Sequence, residues 1–204
     1  MKIIAVGMNY ANHNKEMRNS LELSEPTIFM KPDSSLLKDG KPFFIPDFSS
    51  EIHHEVEIVI KIERLGKNIA ERFAHRYYNE ITVGIDFTAR DIQTKLRTQG
   101  LPWELSKAFD SSAVIGTFIP LAEVGKIDNI PFRLDINGGT VQKGSTAEMI
   151  FSIDKIIAHV SRFFTLKIGD IIYTGTPAGV GRVNIDDHLQ GYIGDRKLLD
   201  FYIR

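Results

Sequence analysis

Short apolar runs separated by Gly and Pro dominate the chain, and most fit strands better than helices. Residues 2–6 (KIIAV) and 27–31 (TIFMK) are apolar runs closed by Gly7 and Pro32, and residues 42–46 form a short piece between two prolines. The stretch 54–62 (HEVEIVIKI) alternates. As a strand it places Val56, Ile58, Ile60 and Ile62 on one face and Glu55 and Glu57 on the other. Residues 81–87 (ITVGIDF), 113–119 and 132–136 read as further strands, and Asn137-Gly138-Gly139 is a hairpin signal. Ile171–Thr174 is a strand after the Gly169-Asp170 turn, and it leads into a glycine-rich loop, Thr176–Gly181. A last strand is expected over Lys197–Tyr202.

Helical spacing is rarer. The polar residues 9–19 fit a helical turn, and Ile69, Phe73 and Tyr77, four apart, predict a helix over 69–78. Thr88 with Asp91 three residues on fits a capping box, opening a helix that Gly100 and Pro102 end. Ser152 caps another helix, whose Ile153, Ile156, Ile157, Val160, Phe163 and Phe164 share one face. Strands outnumber helices, so the expected class is β-rich α+β, with all-β as the alternative.

Composition narrows the function classes. The 204 residues carry no internal linker or repeat, so a single domain over 1–204 is expected. Lys plus Arg number 25 and Asp plus Glu 26, a net charge of -1, which argues against a nucleic-acid binder. Cys is absent, so disulfides, thiolate zinc sites and a cysteine nucleophile are excluded. No apolar run approaches the roughly 20 residues that span a bilayer, and the MKIIAVG start is too short for a secretory signal. A cytoplasmic protein with no membrane partner is the expectation.

Candidate chemistry begins with carboxylates. Glu55 and Glu57 point the same way and repel each other, so water, a base or a cation must compensate. An isolated Glu-x-Glu is most often a solvated strand face. Asp86 shifts the balance, because a carboxylate emerging from a buried strand end before a helix is costly unless paired. Three carboxylates without thiolates form a hard donor set that suits Mg²⁺ or Mn²⁺ over Zn²⁺ and leaves open positions for a chelating ligand. His53 and His54 are candidate ligands, although His54 faces away from Glu55 and both read better as packing neighbours.

His13 and Glu16, three apart, can touch on a helical turn and form a general base, but spacing alone favours a surface pair. The glycine-rich loop can cradle an anion yet lacks the Lys-Ser/Thr of a phosphate loop. Arg90 and Gln93 follow Asp86 on one helix face. Taken singly, Lys107 and Lys31 read as solvated charges, Lys31 at a strand end.

Together these segments resemble the fumarylacetoacetate hydrolase family, in particular its small acylpyruvate hydrolase and oxaloacetate decarboxylase branch. The strings are GMNYANHNKEM (7–17), EPTIFMKP (25–32), HHEVEIVI (53–60), GIDFTARDIQ (84–93), GLPWELSKAFDSSAVIG (100–116), MIFSIDKIIAHVS (149–161) and GDIIYTGTPAGVG (169–181). They cover nearly the whole chain in the family's order. The resemblance implies a rolled mixed β-sheet core, a homodimer, and Mg²⁺ or Mn²⁺ held by Glu55, Glu57 and Asp86. It implies His13 and Glu16 as a catalytic pair on a lid-forming segment (1–20), with Lys107 contributing to catalysis. Arg90, Gln93, Lys107 and Thr176 would line the pocket for a small 2-oxo acid. The implied reaction cleaves a C–C bond beside the 2-oxo acid: hydrolysis of an acylpyruvate first, oxaloacetate decarboxylation second, or isomerisation and decarboxylation of 2-hydroxy-dienoate diacids. One departure stands out. Met8 occupies a position where relatives often carry Arg, which weakens the case for a dicarboxylate.

Overall fold

A computed structural model describes residues 1–17 and 23–204. Among the described residues, fifteen strands and four helices follow one another. The first strands are β1 (Ile3–Gly7), β2 (Thr27–Lys31), β3 (Leu36–Leu37), β4 (Ile52–His54) and β5 (Val56–Ile62), with helix α1 (Ala11–Glu16) between β1 and β2. Next come β6 (Tyr78–Asp86), β7 (Thr88–Ala89), α2 (Arg90–Gln99), α3 (Glu104–Lys107), β8 (Ala113–Ile115) and β9 (Ile119–Pro120). The chain closes with β10 (Pro131–Ile136), β11 (Gly139–Ser145), α4 (Ile153–Phe163), β12 (Ile171–Tyr173), β13 (Gly181–Arg182), β14 (His188–Ile193) and β15 (Arg196–Tyr202).

The main sheet runs β2-β1-β12-β5-β6-β8-β3, with β9 also on β6. Strands β1 and β12 are parallel, as are β3 and β8, and the other pairs are antiparallel, so the sheet is mixed. It curls around a second sheet, β11-β10-β14-β15, and a small third one, β13-β4-β7. The expected β-rich rolled core is present. Val56, Ile58, Ile60 and Ile62 pack into the same core as Phe132, Leu134 and Leu189 of the second sheet, and α4 adds Ile153, Ile156, Ile157 and Val160. Burying side chains of this size contributes about 1.5–3 kcal/mol each. The opposite face of β5 sends Val59 into a smaller cluster with Ile3, Ala5 and Tyr173. Asn137 and Gly138, both at positive φ, make the tight β10–β11 turn the sequence signalled.

Several expectations are corrected. The helix over 69–78 is a 3₁₀ segment, Glu71–Arg76, and Tyr78 pairs with Ile62 in the sheet instead. The 54–62 strand breaks at Glu55, which lies between β4 and β5. Residues 113–119 divide into β8 and the start of β9, and residues 42–46 hold only the Phe43–Ile203 bridge. The helical turn over 9–19 is α1 at Ala11–Glu16, and residues 18 and 19 lie outside the described residues. The Thr88 capping box does not form. Thr88 is in a strand, α2 starts at Arg90, and Asp91 accepts instead from Ser49 and Ser50. Ser152 does cap α4, accepting from the Lys155 N–H.

Candidate active site

Register brings the three carboxylates together. Glu57 lies opposite Gly84 and Val56 opposite Ile85, while the Asp86 N–H donates to the Glu55 carbonyl at 2.8 Å. Glu55, Glu57 and Asp86 therefore occupy adjacent positions on neighbouring strands, where side chains approach within about 5 Å. One oxygen from each lies within 4.8 Å of the others, and all three residues are buried. Gly84 keeps the floor open, since a Cβ there would fall 2.6 Å from the Val114 carbonyl and 2.8 Å from Val59.

Such a cluster needs positive charge. Lys107 gives its three N–H groups to Glu55 (2.7 Å), Asp86 (2.8 Å) and Thr88 (2.7 Å). Arg90 donates to Glu55 and to Gln93, each at 2.5 Å, and to His53 Nδ1 at 3.4 Å. Lys31 is the correction to its surface reading. It is buried, stands 2.7 Å from Asp86 Oδ1, and donates to the Lys107 carbonyl and to Ser112 Oγ. Lys107, too, is buried and not solvated.

The carboxylates diverge in acidity. Burial opposes ionisation of Glu55, but Lys107 and Arg90 overcome it and hold the carboxyl well below the usual range. Glu57 has no cation of its own. Burial, Asp86 and Glu55 push it well above the usual carboxylate value, with a 2.6 Å bond from the Gly175 N–H opposing. Asp86 Oδ1 is buried, and despite its ion pair no hydrogen-bond donor is aimed at it. An oxygen-only donor set with an open lone pair and an unneutralised neighbour fits a hard divalent cation. Neither His53 nor His54 joins the cluster.

His13 faces the carboxylates from α1, with Nδ1 3.4 Å from Glu16 Oε2. Glu16 also accepts from the Gly179 N–H at 3.2 Å, which ties α1 to the glycine-rich loop. Burial is the main cause that lowers the His13 pKa below 6.5, so the imidazole is neutral at neutral pH. The cleft between these groups is narrow, about 40 Å³, and is lined by His13, Arg90, Gln93, Lys107 and Thr176 besides the carboxylates. The structure thus gathers the three carboxylates, His13, Arg90, Gln93, Lys107 and Thr176 around one cleft, with Glu16 behind His13 and with His53 and His54 outside it.

Two residues that carry no signal in the sequence hold the site in shape. Asn9, fully buried, donates from Nδ2 to the Thr174 and Phe151 carbonyls and accepts from the Phe151 N–H. Gln142 on β11 uses its whole amide. Oε1 accepts from the Val56 N–H (3.0 Å) and from His54 Nδ1 (2.8 Å), and Nε2 donates to Thr176 Oγ1 and the Pro177 carbonyl at 3.0 Å each. Thr176 Oγ1 donates in turn to the Val56 carbonyl at 2.8 Å. The β12–β5 ladder ends with Thr174 donating to Ile58, and these two side chains continue it to the peptide between Glu55 and Glu57.

The model of the family described as fumarylacetoacetate (FAA) hydrolase C-terminal matches residues 2–203. The chain belongs to this family. Among the relatives of this fumarylacetoacetate hydrolase family member, the "Oxaloacetate tautomerase FAHD1, mitochondrial" of Rattus norvegicus is 41% identical over 191 residues, 94% of this chain and 86% of the relative. The "Oxaloacetate decarboxylase, mitochondrial" of Dictyostelium discoideum is 43% identical over 183 residues, 89% of this chain and 84% of the relative. Fumarylpyruvate hydrolase from Pseudomonas aeruginosa, solved with Mn²⁺ and pyruvate, superposes with a TM-score of 0.93 at 33% identity, covering 100% of this chain and 89% of that one.

Proposed function

We propose that this family member is a divalent-cation-dependent enzyme that forms a pyruvate-type enolate from a small 2-oxo acid. The buried Glu55–Glu57–Asp86 cluster facing a neutral His13 carries this reading. Those three carboxylates would hold Mg²⁺ or Mn²⁺, which supplies a Lewis acid for charge developing on the keto oxygen.

The chain's own groups do the rest. Neutral His13, steadied by Glu16, takes a proton from water, and the resulting hydroxide attacks the distal carbonyl of an acylpyruvate. The C3–C4 bond breaks, its electron pair moves toward the keto oxygen, and a proton returned to C3 gives pyruvate and a carboxylate. With oxaloacetate no water attack is needed. Loss of CO₂ gives the same enolate, and proton transfer at C3 by His13 interconverts keto and enol forms. The names of the rat and Dictyostelium relatives support the oxaloacetate reactions, and that of the Pseudomonas protein supports the hydrolytic one. Lys107 and Arg90 hold Glu55 and Asp86 in place, and the two Arg90 N–H groups left over orient the substrate carboxylate. The Thr176 hydroxyl has given its proton to Val56, so it serves the substrate only as an acceptor.

A cleft of about 40 Å³ holds little more than one water. The segment carrying α1 therefore acts as a lid that opens to admit substrate. A homodimer in the cytoplasm, without nucleic-acid or membrane partners, completes the proposal. No helix among the described residues is long and apolar enough to cross a membrane.

The test follows loss of acetylpyruvate and of oxaloacetate with Mg²⁺ or Mn²⁺, in wild type, His13→Ala and Asp86→Asn. Loss of turnover in Asp86→Asn and a hydrolytic defect in His13→Ala are expected. A metal-supplemented wild type that turns over neither substrate would overturn the reading.

A further inference from the structure

The cleft holds three cationic side chains reaching in from the α2–α3 side, and two of them are already engaged at the carboxylate cluster. All three Lys107 N–H groups are used, and Arg90 is aimed at Glu55, Gln93 and His53. Arg97 is the third. It is solvent-exposed, and its guanidinium makes no hydrogen bond or ion pair with the described residues.

Its position on α2 gives it a direction. Arg97 follows Gln93 by four residues and Arg90 by seven, so all three share one helix face. It stands about 10 Å further along the axis than Arg90. Helical side chains lean toward the N-terminus, which carries Arg97 back over Gln93 toward the carboxylate cluster. The same cleft is also lined by the apolar side chains of Met8, Met17, Phe29 and Trp103. An anionic ligand held at Glu55, Glu57 and Asp86 through the proposed cation thus meets Arg97, which pairs with none of the described residues, at its far end.

We infer that Arg97 is a specificity-determining residue that binds the second carboxylate of a 2-oxo dicarboxylate. It selects a diacid over an acylpyruvate with an uncharged tail. The inference rests on the 2-oxo acid reading above. A guanidinium matches a carboxylate with two parallel hydrogen bonds, which an apolar wall cannot offer. Arg97 also supplies the charge that Met8 does not.

The experiment measures kcat and KM for oxaloacetate and for acetylpyruvate at fixed Mn²⁺, in wild type, Arg97→Gln and Arg97→Lys. Arg97→Gln is expected to raise the oxaloacetate KM by roughly 10- to 100-fold, the range for a hydrogen bond to a charged group, with kcat little changed. The acetylpyruvate KM should stay within about twofold, and Arg97→Lys should recover part of the loss. Thermal melting should be unaffected, because the side chain supports nothing in the fold. An unchanged oxaloacetate KM, an equal loss on both substrates, or a wild type that uses acetylpyruvate alone overturns the inference. A wild type inactive on both substrates overturns the 2-oxo acid reading itself, and Arg97's role with it.

Discussion

Lys31 Nζ stands 2.7 Å from Asp86 Oδ1, with both side chains sealed from solvent. Removing one member of a buried pair leaves an uncompensated charge, at a cost of about 3–5 kcal/mol. Lys107 still contacts Asp86, so Lys31→Met should lose about 3 kcal/mol of stability in urea unfolding. The Lys31→Met/Asp86→Asn pair should lose less than the sum of the singles. A single-mutant loss under about 1 kcal/mol would show that Lys107 alone neutralises Asp86.

Gln142 touches none of the three clustered carboxylates, yet it holds the peptide between two of them. Gln142→Met strands the Val56 N–H and removes both donors to the glycine-rich loop. Groups that orient a metal site cost roughly 10- to 100-fold in metal affinity when lost. Mn²⁺ titration should show a drop of about 10-fold in Gln142→Met, and Gln142→Glu, which keeps the acceptors, should fall less. Equal affinity in all three proteins would confine Gln142 to packing.

Glu57 is the carboxylate left without a cation, so its neutral isostere should act in two directions. Glu57→Gln should raise the melting temperature of the metal-free protein by relieving repulsion from Glu55 and Asp86. It should also abolish the rise that Mn²⁺ produces in wild type. A wild-type protein whose melting point ignores Mn²⁺ and Mg²⁺ argues against a cation site.

His13 works as a base only when unprotonated, and burial lowers its pKa below 6.5. Hydrolytic kcat/KM should therefore be flat through neutrality and fall on an acid limb below the usual imidazole range. His13→Ala should cost about 10²- to 10⁴-fold, the usual worth of a general base. Stability carries the same sign. His13, His53 and His54 all have pKa values lowered chiefly by burial, so the unfolded chain takes up protons first as pH drops through 6.5. Chemical denaturation should show the folded state weakening from there downward. A stability profile that is level from pH 7 to 5 would contradict this.

Much of the fold and site was legible. Alternation along 54–62 showed which face of that strand is apolar and put Glu55 and Glu57 on the other, but only the sheet register, with Gly84 opposite Glu57 and the Asp86 N–H on the Glu55 carbonyl, brought Asp86 to them. Lys31 was not legible, because a lysine before a proline looks solvated until the partner on β6 is known. Gln142 was hidden in a similar way. On the largely exposed β11 a glutamine reads as solvent-facing, and only the docking of the second sheet buries it. The 69–78 segment misled for another reason. Its apolar residues have helical spacing, but Phe73 is largely exposed and the Ile69 N–H bonds to Ser161 Oγ, so nothing rewards the helix over strand pairing at Tyr78.

Three cationic groups, Lys31, Arg90 and Lys107, stand against Glu55, Glu57 and Asp86, so this cluster, with all six ionised, would carry no net charge. A divalent ion arriving alone leaves two positive charges in excess within a largely buried space, and a dianionic substrate arriving alone leaves two negative ones. Only together do they restore neutrality. On the proposed reading the two ligands would be thermodynamically linked, each raising the other's affinity by the same factor. On the proposed reading, the protein would hold a divalent ion more weakly alone than with a dianionic substrate present.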